Sequence, residues 1–171
     1  WDYFSSKFEY HEFPKGTKIL EQGKIENYLT FVEEGLVRSF LITADHKDRT
    51  LRFTFPGNFV SGYSSFVLQK PSEICIEVLS DMKCWRISYS DLQHCYTRTL
   101  ESNKLGRISA EFLYVLSSSR EISMLTMSPE ERYLELLNTS PEWFQLVPLK
   151  HVASYLGITP QALSRIRARI F

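Results

Sequence analysis

The stretch LKHVASYLGITPQALSRIRARIF, residues 149–171, decides how the chain is read. Leu149, Val152, Ala153 and Leu156 recur at helical spacing and give a two-turn helix one apolar face. Gly157 follows where a helix needs a left-handed residue to turn. Ile158 covers the turn, Thr159 caps the next helix, and Pro160 takes its first position. Ala162, Leu163, Ile166 and Ile170 then line an inner face. The small Ala153 lets the second helix cross the first closely. This is helix-turn-helix spacing, with each constrained place acceptably filled.

The opposite face of the second helix carries Gln161, Ser164, Arg165 and Ala168, flanked by Arg167 and Arg169. Such a face can read DNA. An arginine forks onto guanine O6 and N7, and a glutamine pairs with an adenine edge, so Arg165 and Gln161 are the expected base readers. Lys150, Ser164, Arg167 and Arg169 suit phosphates, which position the helix and make affinity fall with salt. Thr159 stands at a helix N-terminus, where backbone N–H groups attract phosphate. Between Trp143 and Phe171 there are four basic residues and no acid. The remainder of the chain is acidic, and a basic terminal segment points to a polyanion. A hairpin that merely packs would not explain the acid-free outer face.

Upstream lies a helix beginning at Pro129. Ser128 is its expected N-cap, and Glu130 and Glu131 occupy the first turn, where the dipole favours acids. Asn138 is its expected last residue. Before it, Glu101 to Thr126 reads as one helix about twice the average length. Leu105, Ile108, Phe112, Val115 and Ile122 fall on a heptad seam, with Ser119 in one slot and Leu113, Leu116 and Leu125 widening the stripe. The helix could lie on its own sheet. The width of the stripe favours a seam between two copies of the chain. A shorter helix is expected over Asp91–Arg98.

The first half reads as β. Apolar runs Phe8–Phe13, Thr17–Leu20, Tyr28–Val32, Leu36–Thr43, Arg49–Phe55, Ile74–Val78 and Lys83–Ile87 are separated by turn formers such as Pro14-Lys15-Gly16 and Pro56-Gly57. Several short strands at this spacing imply a sandwich or barrel. In Arg49–Phe55, Leu51, Phe53 and Phe55 alternate with polar residues and should share one face. The expected domains are 1–98, a β sandwich or barrel; 99–126, the long seam helix for dimerisation; and 127–171, the DNA-binding helices.

Composition closes off other classes. With 43% apolar and 23% charged residues, the chain is an ordinary globular one. No apolar run nears the roughly 20 residues of a membrane span, and no signal peptide is visible, so a cytoplasmic location without membrane contact is expected. Cys75, Cys84 and Cys95 fit neither a zinc site nor a disulfide framework and read as buried thiols. His11, His46, His94 and His151 are scattered, so no metal and no cofactor is expected. A cupin-like enzyme would need His11 or His46 with Glu12 or Asp48, but His46-Lys47-Asp48 reads better as a hairpin tip. The expectation is that the protein is not an enzyme.

The whole chain, from about residue 8 to 171, resembles the Crp/Fnr family of bacterial transcription regulators. FPKGTKILEQG, YLTFVEEGLVR and FTFPGNFV are similar to the glycine framework of its cyclic-nucleotide-binding β-roll, and LKHVASYLGITPQALSRIR closely resembles its DNA-binding helices. The resemblance implies an α+β fold: an antiparallel β-roll or double-stranded jelly roll, a long dimerisation helix, and a C-terminal helix-turn-helix. It also implies a homodimer, double-stranded DNA and RNA polymerase as partners, and a small-molecule effector. The family usually adds a β-hairpin wing. Only Ile170 and Phe171 follow Arg169, so a helix-turn-helix without a complete wing is expected, with modest affinity for a single site.

The effector segment departs from the family. Nucleotide-binding relatives carry Gly-Glu-Leu, whose glutamate takes the ribose; here Ser61-Gly62-Tyr63-Ser64 stands there. Relatives then carry an arginine for the cyclic phosphate; here Ser72-Glu73 stands there, with Lys70 nearby. A lysine lacks the bidentate fork, and a carboxylate beside an unpaired anion repels it. These seven residues are the candidate effector pocket, and the expected ligand is not cAMP. The competing reading is a cAMP-responsive regulator.

Overall fold

The computed structural model describes residues 2–170; Trp1 and Phe171, at the two ends of the chain, lie outside the described residues. The chain divides into two compact units, Trp1–Ile108 and Ser109–Phe171, with the boundary inside one long helix.

The first unit opens with a short helix, α1 (Asp2–Ser5). Strands follow: β1 (Glu9–Phe13), β2 (Lys18–Leu20), β3 (Tyr28–Glu34), β4 (Val37–Ile42), β5 (Asp48–Thr54) and β6 (Phe59–Val60). Helix α2 (Tyr63–Leu68) interrupts them before β7 (Cys75–Val78), β8 (Met82–Ser88) and α3 (Tyr89–Arg98). Two antiparallel four-stranded sheets result, ordered β1-β8-β3-β6 and β2-β7-β4-β5. This is the expected β-roll. Between the sheets Val32, Val37, Ile76, Val78, Met82 and Cys84 form an apolar core, each aliphatic side chain contributing roughly 1.5–3 kcal/mol. A second cluster, Phe66, Ile87, Leu92 and Cys95, lies under α2 and α3.

Turn chemistry sets the strand ends. Gly35 has φ +100°, and a Cβ there would stand 2.6 Å from the Asp81 carbonyl oxygen, so only glycine fits this crossing of backbones. The β4–β5 hairpin closes with His46 left-handed at its tip. That tip belongs to one sheet while His11 is on a strand of the other, so they form no joint cluster. Among the described residues no group of histidines, cysteines and acids could hold a metal. All three cysteines are buried free thiols, and burial pushes the Cys84 thiol up to about 11.

Strand β5 departs from simple alternation. Phe53 is buried as expected, but Thr50 and Thr54 are buried too, on the other parity. A bulge between Ser39 and Phe40 shifts the pairing of β4 with β5. Arg38, 1% exposed, is the reason a polar residue is wanted inside: its guanidinium bonds Thr50 Oγ1 at 2.9 Å and pairs with Asp48 at 2.9 Å and Glu77 at 3.6 Å.

Helix α4 (Leu100–Thr126) is continuous through 27 residues. Its only buried residue is Ser102. Leu105, Ile108, Phe112, Val115 and Ile122 are 39–58% exposed, and Ser119 is exposed with them, so neither unit covers its own part of the stripe. Leu105 and Ile108, the part within the first unit, are not laid down on its sheets. No helix among the described residues is long and apolar enough to cross a membrane.

In the second unit, α5 (Pro129–Thr139) starts with a full capping box between Ser128 and Glu131, with Pro129 in the first turn. Then come α6 (Trp143–Leu146), α7 (Leu149–Tyr155) and α8 (Pro160–Ile170). Tyr133, Val147, Val152, Ala153, Leu156 and Leu163 make its core.

Candidate nucleic-acid interface

The hinge of the site is the turn between α7 and α8. Gly157 takes φ +76°. Its N–H donates to the Ser154 carbonyl at 3.1 Å, and the Ile158 N–H donates to the Ala153 carbonyl at 3.0 Å. These two bonds are a Schellman closure, which needs a left-handed residue where Gly157 stands. Thr159 Oγ1 then accepts from the Ala162 N–H at 3.2 Å, capping α8. Both features are legible in the sequence, because glycine and threonine are the residues such a turn requires.

Helix α8 buries Leu163 and Ile166, and Ala162 and Ile170 are half-buried beside them. Gln161, Ser164, Arg165, Ala168 and Arg169 are exposed, as are Thr159 and, on α7, Lys150. Arg167 is half-buried. The basic residues are not equivalent. Arg169 pairs with Glu130 at 2.8 Å, so it reaches a phosphate only by exchanging that partner. Arg165 borders a cleft formed with Ser128, Pro129 and Glu130. Gln161, Ser164 and Arg165 share one exposed face of α8, a helix with no acid of its own, and such a face suits a major groove.

Two residues that the periodicity does not single out complete the turn. Arg132, buried in α5, donates Nε and Nη2 to the Leu156 carbonyl at 3.2 and 3.0 Å, and Nη1 to the Met127 carbonyl. Arg120, on α4, donates Nη2 to the Tyr155 carbonyl at 2.7 Å and stacks 3.8 Å from the Tyr155 ring centre. Burial pulls the Arg120 guanidinium below its ordinary value, opposed by Tyr155.

The candidate effector residues divide. Ser61, Gly62 and Ser72 come together: Ser61 Oγ donates to the Tyr28 carbonyl at 3.1 Å, and a Cβ on Gly62 would stand 3.3 Å from Ser72 Oγ. Tyr63, Ser64, Lys70 and Glu73 are exposed around α2 and the loop after it. Residues 61–66 carry no carboxylate of their own, yet one reaches them from the β2–β3 loop. Glu26, 4% exposed, accepts from the Gly62 N–H at 3.3 Å and the Tyr28 N–H at 3.0 Å. Its own N–H donates to Ser65 Oγ at 3.0 Å. Burial pushes the Glu26 carboxyl above the usual range, while these backbone bonds and Arg86 pull it down.

A buried acid with a raised value favours folding most at low pH, where it is neutral in both states. That advantage is lost as pH rises from the ordinary carboxylate value through the raised folded one. Denaturation of Glu26→Gln and the parent over this range should therefore show the variant gaining relative stability as pH rises. A parent that gains instead would mean the charged carboxylate is the favoured form.

Comparison with known proteins agrees with this architecture. Residues 10–99 match the cyclic nucleotide-binding domain model. Among curated protein sequences no match is found. Solved structures match in fold. FixK2 from Bradyrhizobium japonicum superposes with a TM-score of 0.81 at 15% identity, covering 95% of this chain and 84% of its own. The c-di-GMP responsive global regulator CLP of Xanthomonas campestris gives 0.78 at 17%, covering 99% and 89%. The catabolite activator protein of Thermus thermophilus gives 0.62 at 20%, covering 99% and 81%. The fold is thus that of the Crp/Fnr regulators, and the chain belongs to the cyclic nucleotide-binding domain family.

Proposed function

We propose that the protein is a sequence-specific DNA-binding transcription regulator that acts as a homodimer on a near-palindromic site. The observation that carries the reading is the closed helix-turn-helix with an acid-free outer face of Gln161, Ser164 and Arg165. Gln161 and Arg165 read bases; Lys150, Thr159, Ser164, Arg167 and Arg169 hold phosphates, Arg169 after releasing Glu130. Two copies pair through Leu105, Ile108, Phe112, Val115, Ser119 and Ile122 on α4, which places the two recognition helices about 34 Å apart, one turn of DNA. RNA polymerase is the expected protein partner. Arg165→Ala should lower affinity for the selected site by roughly fivefold to 150-fold and relax the preference at one base position. Anisotropy titration checks this, and equal binding by the variant would remove Arg165 from the readout.

The reading of the β-roll is a sensor that does not take cAMP. Glu26 supports it, since its carboxyl group already takes the Gly62 N–H and leaves that donor closed to a nucleotide. The family match favours the competing reading, a cAMP-responsive regulator. Calorimetry decides between them. No heat of binding is expected with cAMP or cGMP at concentrations up to roughly 100 μM, and micromolar affinity for either would establish the competing reading.

A further inference from the structure

An α-helix leaves its last carbonyls without partners, and each must be met by something. In α7 the Val152 carbonyl accepts from Leu156, and the Schellman closure takes Ala153 and Ser154. Two remain, Tyr155 and Leu156, and each is met by a guanidinium: Arg120 on the first and Arg132 on the second. Two cations at one helix C-terminus complement its dipole. The α4 surface also presses on the turn, for a Cβ on Gly157 would lie 2.9 Å from Met124 Cε. Arg120 stands on α4 among the exposed seam positions, between Val115 and Ile122. Its planar guanidinium is stacked on Tyr155, whose ring stands edge-to-face with Trp143 at 5.0 Å. The bond and the stack together fix an angle as well as a distance.

We infer that Arg120 is a positioning residue for DNA reading: it ties the helix-turn-helix to the helix that pairs the two protomers, and so sets the distance and angle between the two recognition helices. The inference rests on the proposed dimeric DNA-binding reading. Arg120 itself touches no DNA. It acts through Tyr155 and α7, and its loss frees α7 and α8 to rock against α4 while every outward side chain stays in place.

The test uses the full chain and a duplex selected from random sequence by the wild type. Affinity is measured for that duplex and for a version with one base pair inserted at its centre, which rotates the half-sites by roughly 35°. The quantity read is the ratio of the two affinities. Arg120→Ala should lower this ratio several-fold toward one, while the salt dependence of binding stays unchanged, because no phosphate contact is lost. Arg120→Lys, which keeps a cation but loses the fork and the planar stack, should fall between; it also serves if the alanine variant fails to fold. A purely stabilising role would lower both affinities together and leave the ratio alone. A folded, dimeric variant with the wild-type ratio overturns the inference while leaving the DNA-binding reading intact. A wild type that selects no duplex at all overturns that reading, and the inference with it.

Discussion

Glutamate at both Phe112 and Ile122 is expected to leave a folded monomer that binds its site about 10²–10⁴-fold more weakly than the parent. The two side chains are 57% and 58% exposed in the single chain, so charging them should cost the protomer no more than about 0.5 kcal/mol. In a seam between two copies the same carboxylates would be buried and would face each other, which a dimer does not tolerate. The double variant therefore separates two roles of α4. Sedimentation reads the oligomer, circular dichroism reads the fold, and anisotropy reads the DNA. A variant that stays dimeric would place the seam elsewhere. One that loses its helical signal would show that the stripe packs within the chain.

The second large effect is expected at Arg132. Replacing it with methionine keeps the bulk of the side chain and removes every bond to the Leu156 and Met127 carbonyls. The Leu156 acceptor is buried and the Met127 acceptor part-buried, and leaving a buried acceptor unmet costs about 1–3 kcal/mol. For a unit of this size a loss of that order lowers the melting temperature by about 10 °C or more. Arg167→Met, half-buried on α8 and bonded to neither carbonyl, should leave the melting temperature nearly unchanged. Equal melting of the Arg132 variant and the parent would show that water replaces the guanidinium at the turn, and that the arginine clamp is dispensable.

The elements legible in the sequence are those whose constraints are local. Gly157 and Thr159 mark a turn because the backbone there admits few residues, and Ser128-Pro129 marks a helix start for the same reason. Most strand ends are marked by glycine, proline or other turn formers such as Ala44-Asp45-His46, so β1 to β5 and β7 to β8 stand out to within a few residues. The unread pieces lack such marks. Strand β6 is two residues long and exists only by pairing Val60 and Phe59 with Thr30 and Phe31. Helix α2 begins at Tyr63, and its N-cap, Gly62, has no side chain to cap it. Helices α1 and α6 have four residues each, too few to show a period.

In the site the same division holds. The outward residues of α8 follow from helical geometry alone. Glu26 has no local signature, because its burial depends on Gly62, 36 residues away, folding back over it. The bulge in β4 and the buried Arg38 leave no trace in the alternation of β5, since their cause is pairing across strands. Arg120 and Arg132 look like surface charges for a similar reason: the carbonyls they hold belong to a helix 35 and 24 residues further on.

Whether two copies of α8 read a two-fold DNA site is tested most directly by selection of duplexes from a random pool by the wild-type protein, followed by titration of the winning sequence over a range of salt. The expected result is enrichment of an inverted repeat with half-sites about one helical turn apart, and affinity that falls steeply as salt rises. Failure to enrich any sequence, or enrichment of a site without two-fold symmetry, would contradict it.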